Sequence, residues 1–273
     1  MKPKITNIEK NLQNVLAGLK SAIVAYSGGV DSSYLMDVAN ETLGSKSLAV
    51  MSFSPSVAED DRNDAIKLAK NKNWNYKIIN TLEMEDENYL KNDISRCFFC
   101  KHELYGKLVD LSNQLGFEWV LNGSNLDDKG DYRPGMNAAK LHKVRSPLIE
   151  AEFTKEDIRY YAKKRNLRSW DRPASPCLSS RLPYGTMVTV EALTMVGKSE
   201  QFLKSIDFPI VRVRHYGEKA LIEIPKDKFT NFNSKIDNIT RELNNFGYKI
   251  VELDPVGFRS GSLNHKAGIK NPS

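Results

Sequence analysis

The sequence predicts an α/β protein: a parallel-sheet domain that carries a glycine-rich phosphate loop, then a small C-terminal α+β domain. Three observations predict it. An apolar run, Ser21-Ala22-Ile23-Val24-Ala25-Tyr26, passes directly into Ser27-Gly28-Gly29-Val30-Asp31-Ser32-Ser33 and then into a helical pattern beginning Tyr34-Leu35-Met36. Further strand-like runs alternate with helical ones as far as Trp119-Val120-Leu121, the rhythm of a parallel sheet with helices on both faces. Beyond a proline-studded stretch, Trp170 to Gly185, the order changes to helix, strand, strand, helix, strand.

Each element has a local reason. Ile5, Ile8, Leu12, Val15, Leu16 and Leu19 give one face of a first helix. Ser47 to Phe53 is a second strand, broken by Pro55, and residues 57 to 72 make a helix with Val57, Ala58, Ala65, Leu68 and Ala69 on one face. Tyr76 to Ile79 is a third strand. Residues 81 to 96 are polar, with at most a short helical piece. A helix with Leu104, Leu108, Leu111 and Leu115 follows, and Trp119 to Leu121 is the fourth strand. Val144 to Leu148 reads as a short final strand or edge. Thr154 caps a helix that runs to about Asn166. The polar 170–185 segment reads as a functional loop, and the domain boundary is placed after it: residues 1–185, then 186–273. In the second domain, 188–206 and 226–245 are helices, and 209–216, 219–224 and 248–253 are strands.

The chain has 273 residues, 40% hydrophobic and 27% charged, an ordinary globular composition. No apolar run approaches the roughly 20 residues that span a bilayer. The N-terminal stretch has no continuous apolar core, so it does not read as an export signal, and a cytoplasmic location is expected. A net charge of +6 fits anionic partners without selecting nucleic acid.

The loop at 27–33 sits where a strand becomes a helix. Such a turn points unpaired N–H groups at whatever lies above the strand end, and two glycines let backbone approach an anion closely. It lacks the lysine of a P-loop and the third glycine of a dinucleotide fingerprint. SGGVDS instead resembles the pyrophosphate loop of the PP-loop ATP pyrophosphatases, which split ATP into AMP and pyrophosphate. Ser27, Gly28, Gly29, Val30, Asp31, Ser32 and Ser33 are expected to meet the phosphates, with Phe53 and Asn125, at neighbouring strand ends, on the nucleotide. Mg²⁺ needs hard oxygen ligands. Asp31 is the first candidate, with Asp127 and Asp128 as helpers; those two also suit an ordinary Asx turn.

Three cysteines remain: Cys97 and Cys100 in Arg96-Cys97-Phe98-Phe99-Cys100-Lys101, and Cys177 in Pro176-Cys177-Leu178-Ser179-Ser180-Arg181. A redox pair would leave Cys177 unused. Zinc with His102 as fourth ligand is chemically easy but brings no sulfur. Three thiolates holding a [4Fe-4S] cluster would leave one iron open. Three unrelated core cysteines are the plain alternative, opposed by the flanking Arg96, Lys101 and Arg181.

Across nearly the whole chain the motifs AYSGGVDSS (25–33), RCFFCKHELY (96–105), NGSNLDDKGDYRPG (122–135), SPL (146–148), PCLSSRLPYG (176–185), VRVRHYG (211–217) and GFRSGSLN (257–264) resemble the LarE family. These are the sulfurtransferases of nickel-pincer cofactor synthesis. The resemblance implies that a carboxylate of pyridinium-3,5-biscarboxylic acid mononucleotide is adenylated and then converted to a thiocarboxylate. One branch of the family sacrifices the sulfur of a cysteine at the Cys177 position and is left with dehydroalanine. The other adds a CxxC and is thought to use a [4Fe-4S] cluster. The CxxC here points to the second, with Cys97, Cys100 and Cys177 as ligands and sulfide from a separate donor. The resemblance also implies a homo-oligomer such as a hexamer.

Arg181 is placed at the α-phosphate or acyl-adenylate. Arg212 and Arg214, two apart on a strand and so on one face, together with Arg259 in Gly257-Phe258-Arg259-Ser260-Gly261-Ser262, are expected to take the substrate's phosphate and carboxylates. Glu200 and Glu223 would orient these arginines or bind a second metal. The rivals are a tRNA-thiolating PP-loop enzyme, disfavoured because the C-terminal region lacks an RNA-binding signature, an ammonia-using amide synthetase, and a non-catalytic nucleotide sensor.

Overall fold

Strands β1 (Ala22–Ala25), β2 (Ser47–Phe53), β3 (Tyr76–Asn80) and β4 (Trp119–Leu121) form a parallel sheet in the order β3-β2-β1-β4 in the computed structural model. The structure describes residues 5–130, 134–173, 175–259 and 262–263. These fall in two compact units. One comprises Met1–Ser54, Asp61–Glu83 and Cys97–Ser175; the other comprises Pro55–Asp60, Met84–Arg96 and Pro176–Ser273. The helices, in chain order, are α1 (Ile5–Ala17), α2 (Val30–Leu43), α3 (Glu59–Asn71), α4 (Glu87–Leu90), α5 (Arg96–Leu115), α6 (Pro134–Leu141), α7 (Pro147–Glu150), α8 (Lys155–Lys164), α9 (Val190–Ser205), α10 (Phe229–Ser234) and α11 (Ile236–Asn245). None of them is long and apolar enough to cross a membrane.

In the first unit β1 is central. Ile23 pairs in register with Leu48 of β2 on one side and Val120 of β4 on the other. Both faces of β1 are covered, which is why it is an unbroken apolar run rather than an alternating one. Ala22 and Val24 join one core with Leu12, Leu16, Tyr34, Phe153 and Tyr161. Ile23 faces the opposite core, with Val50, Leu104, Leu108 and Val120. The chain leaves β1 for β2 on one side and returns to β4 on the other. The carboxyl end of β1 is therefore the topological switch point, where open α/β sheets bind ligands. Residues 27–33 occupy it.

The strand expected over Val144–Leu148 is only a single parallel bridge, Leu121 to Arg145. Pro147 explains the difference: it has no N–H for a ladder and instead opens α7 at its first turn.

The second unit holds a three-stranded mixed sheet of β5 (Arg212–Tyr216), β6 (Lys219–Glu223) and β7 (Ile250–Leu253), in the order β5-β6-β7. The β5–β6 pair is an antiparallel hairpin turned by Gly217 at φ +64°; β6 and β7 run parallel. Leu203, Phe208, Val213, Ile222, Phe232, Ile239 and Leu243 form its core. Thr189 caps α9 by accepting from the Ala192 N–H. The helix expected over 226–245 is broken into α10 and α11. At the break the Ser234 hydroxyl bonds back to the Asn231 carbonyl (2.7 Å), competing with helical pairing.

Candidate active site

The 27–33 loop is held by its own hydroxyls. The Ser27 N–H donates to Ser32 Oγ (3.2 Å), Ser27 Oγ lies 3.1 Å from Ser32 Oγ, and Ser32 Oγ donates to the Gly29 carbonyl (3.1 Å). Gly28 has φ +79°, and a Cβ there would lie 2.8 Å from Ala65 Cβ, so the position needs glycine on both counts. Val30 and Asp31 open α2, leaving its N-terminal N–H groups at the switch point. Ser33 is fully buried beneath the loop. Phe53 ends β2, half-buried, with the Arg62 guanidinium 5.3 Å above its ring.

Two further segments meet Asp31. From the end of β4, Asn125 Nδ2 donates to Asp31 Oδ1 (3.3 Å). From the first residue of α8, Lys155 Nζ pairs with Asp31 Oδ2. The β4 loop comes so close to α2 that a Cβ on Gly123 would lie 2.9 Å from the Ser32 nitrogen. Asp128 Oδ2 accepts from the Asn125 N–H (3.0 Å), and Asp127 Oδ2 accepts from the Lys155 N–H (2.7 Å). Both aspartates thus shape this turn, while Asp31 presents its carboxylate at the loop mouth. One carboxylate beside phosphate oxygens and water suits Mg²⁺. Lys155 escaped the sequence analysis: the Thr154–Asp157 cap was visible, but nothing local aims residue 155 at residue 31.

Cys97 and Cys100 lie in the first turn of α5, three apart and so neighbours on one helix face; Cys97 is exposed. His102 is engaged elsewhere. Its Nδ1 lies 2.9 Å from His142 Nε2, and its ring stacks on Phe98 at 5.7 Å. Among the described residues, no three His, Cys, Asp or Glu side chains gather as metal ligands. Cys97 and Cys100 belong to the first unit and Cys177 to the second.

Cys177, in the second unit, immediately precedes a tight turn, Leu178–Arg181, that is anchored on every side. The Leu178 N–H donates to the Ser56 carbonyl (2.8 Å), Arg96 Nη1 donates to the Ser179 carbonyl (2.8 Å), and Tyr89 Oη shares a 2.7 Å hydrogen bond with Ser179 Oγ. Arg181 closes the turn on itself: Nη1 donates to the carbonyls of Pro176 (2.6 Å) and Cys177 (3.2 Å). Its Nε and Nη2 each donate to Glu200 of α9 at 2.8 Å. Gly197 on α9 leaves room for Leu178; a Cβ there would lie 3.3 Å from Leu178 Cδ1. A segment that reads as a polar loop is thus partly core, with Leu178, Arg181 and Leu182 all buried.

The arginines of β5 divide. Arg214 is buried, donating to Glu223 (2.8 Å), Ser262 Oγ (2.7 Å) and the Ser180 carbonyl (2.8 Å). It is not on a solvated strand face. Arg212 lies across the Phe258 ring at 5.5 Å. Burial, reinforced by the positive charges of Arg181 and Arg214, pulls its pKa down to about 10. Glu200 also accepts the Val213 N–H (3.0 Å). Burial pushes the Glu200 carboxyl up, but Arg181 more than offsets this and holds it below its usual range. Arg259 pairs with Asp254 at 3.4 Å and donates to the Gly257 carbonyl. Ser260 and Gly261, from the loop expected to bind phosphate, lie outside the described residues, as do Asp131, Tyr132 and Arg133 of the 122–135 motif.

The NAD synthase family matches residues 4–98, the part that contains the nucleotide loop. Pyridinium-3,5-bisthiocarboxylic acid mononucleotide synthase of Lactiplantibacillus plantarum is 34% identical over 250 residues, 91% of this chain and 91% of that protein. The chain belongs to that synthase family. It is an ATP-dependent sulfurtransferase of the PP-loop type. Two further relatives are uncharacterized proteins: slr1717 of Synechocystis (40% identical, covering 93% of this chain and 96% of that one) and MJ0830 of Methanocaldococcus jannaschii (30%, covering 94% and 98%). The synthase match spans both units, whereas the NAD synthase match ends before Cys100 and Cys177.

Proposed function

We propose that the chain converts carboxylates of pyridinium-3,5-biscarboxylic acid mononucleotide to thiocarboxylates at the expense of ATP. The observation that carries this reading is a phosphate-type loop at the switch point in the same chain as a rigidly held cysteine turn flanked by buried arginines. A carboxylate oxygen of the substrate attacks the α-phosphorus, and pyrophosphate leaves, giving an acyl adenylate. A sulfur nucleophile then attacks the acyl carbon; a C–S bond forms, the C–O bond to phosphate breaks, and AMP departs.

The protein's part is binding and positioning. Residues 27–33 take the β- and γ-phosphates. Asp31 would hold Mg²⁺, which supplies charge neutralisation at the departing pyrophosphate. Arg212 and Arg259 take the phosphate and second carboxylate of the substrate. An anion beside Arg212 relieves the repulsion from Arg181 and Arg214 that lowers its pKa. Arg181, committed to Glu200 and the turn carbonyls, positions Cys177 instead of touching phosphate directly.

For the sulfur, Cys97, Cys100 and Cys177 are proposed to hold a [4Fe-4S] cluster. Cysteine content and the family resemblance support this. Without a cluster, Cys177 Sγ itself attacks the acyl carbon. Loss of the Cys177 α-proton then breaks its Cβ–Sγ bond, leaving dehydroalanine and the thiocarboxylate. Mass spectrometry of both nucleotide and protein after one turnover tests the reading: a thiocarboxylated mononucleotide is expected, and an unchanged or amidated nucleotide refutes it.

A further inference from the structure

We propose that Asn92 and Arg96 are positioning residues for Cys177, needed for sulfur transfer but not for adenylation. This rests on the sulfur-transfer reading given above. Both residues lie in the second unit with Cys177. Cys177 is half-buried and joined to no other cysteine, so the backbone turn behind it sets where its sulfur can reach.

The segment before Cys97 grips that turn at both ends. At its start, Tyr89 Oη shares a 2.7 Å hydrogen bond with Ser179 Oγ, and Arg96 Nη1 donates to the Ser179 carbonyl at 2.8 Å. Beyond it, Asn92 Nδ2 donates to the carbonyls of Pro183 and Thr186, both at 2.8 Å. The Asn92 carbonyl accepts from the Gly185 N–H (3.0 Å), and the Leu90 carbonyl accepts from the Val188 N–H (2.9 Å). Arg96 Nη1 also donates to Asn92 Oδ1, which ties the two ends together.

The residue type at 92 is dictated twice. Its φ is +54°, a region where asparagine is among the best tolerated non-glycine residues. A primary amide also supplies two donors and an acceptor in one side chain. Asn92 is fully buried, a costly place for an amide unless its bonds are made. The apolar core of this unit, from Leu203 to Tyr248, includes neither the 89–96 nor the 178–188 segment. The clamp therefore holds the cysteine turn and not that core. Position matters because water competes for the acyl adenylate. When water attacks the acyl carbon, AMP leaves, the substrate carboxylate is regenerated and no C–S bond forms. Misplacing a reacting group by about 1 Å can cost about 100-fold in rate.

The measurement is thiocarboxylate formed per AMP released, in one anaerobic turnover with sulfide present, for wild type, Asn92→Asp, Arg96→Met and Tyr89→Phe. Thermal melting identifies the variants that fold. Asn92→Asp keeps an acceptor for Arg96 but loses both Nδ2 donations, so its effect is not that of a lost charge beside Cys97. In Asn92→Asp and Arg96→Met the ratio should fall by about tenfold or more while AMP release stays near the wild-type rate. Tyr89→Phe, which removes only the hydroxyl on Ser179, should lower the ratio by a smaller factor; it decides the matter if the other two do not fold. Equal losses of AMP and thiocarboxylate would mean that these residues serve the fold alone, and the proposal falls. It falls equally if the ratio is unchanged in the folded variants. A wild type that releases AMP but forms no thiocarboxylate would overturn the sulfur-transfer reading, and the proposal with it.

Discussion

Arg181 and Glu200 form a two-bond ion pair, both contacts at 2.8 Å, with the two side chains only 2% and 4% exposed. The pair joins the turn behind Cys177 to α9, and Glu200 extends the link to β5 through the Val213 N–H. Glu200→Gln leaves the guanidinium buried without its counter-charge. It should cost about 3–5 kcal/mol, the usual penalty for breaking a buried pair from one side. Chemical denaturation checks the loss.

The same pair sets a pH dependence. The folded-state pKa of Glu200 is below its unfolded value, so its contribution is complete above the unfolded pKa of about 4.3. It is lost as pH falls through the lower folded value. Wild type should therefore destabilise more steeply below about pH 4.3 than Glu200→Gln. Melting temperatures across that range measure it, and parallel curves for the two proteins would contradict the assignment.

Gly28→Ala introduces a methyl group 2.8 Å from Ala65 Cβ at a positive-φ position. The loop must shift, and ATP affinity should fall by about tenfold or more, with a stability loss of about 1–3 kcal/mol. Gly44→Ala is the comparison: it also has positive φ, but nothing lies within 4 Å of the new methyl, so it should cost stability without weakening ATP binding.

How much of this could be read from sequence depends on how local each feature is. The 27–33 loop is a continuous pattern, strand into glycines into helix, and its chemistry is visible in the residue order. Lys155 meets Asp31 across 124 positions, and only the fold brings them together. Residues 176–182 belong to the 170–185 segment, which reads as a functional loop because it is polar. Its Arg181 is buried because Glu200 and carbonyl groups compensate the charge, and those partners come from other elements or from geometry. The 144–148 strand failed on one residue, since Pro147 favours a helix start over a ladder. The break between α10 and α11 was hidden because the apolar spacing of Phe229, Phe232, Ile236, Ile239 and Leu243 runs straight across it.

The cysteines make a separate prediction. Anaerobic purification followed by iron and sulfide analysis should give about four irons per chain. They should be lost in Cys97→Ala, Cys100→Ala or Cys177→Ala, and added sulfide should support repeated turnover. A protein that stays iron-free after anaerobic reconstitution and carries dehydroalanine at position 177 after one turnover uses Cys177 sacrificially. Cys177→Ala should abolish thiocarboxylate formation in either case, while adenylation continues.

The central claim is that the 27–33 loop serves adenylation of a carboxylate, and the most direct measurement is of what becomes of ATP. Purified protein is incubated with ATP, Mg²⁺ and pyridinium-3,5-biscarboxylic acid mononucleotide, and the nucleotide and phosphate products are separated and counted. The account predicts AMP and pyrophosphate in equal amounts, dependent on the mononucleotide and abolished in Asp31→Ala. ADP and orthophosphate, or ATP bound and returned intact, would contradict it.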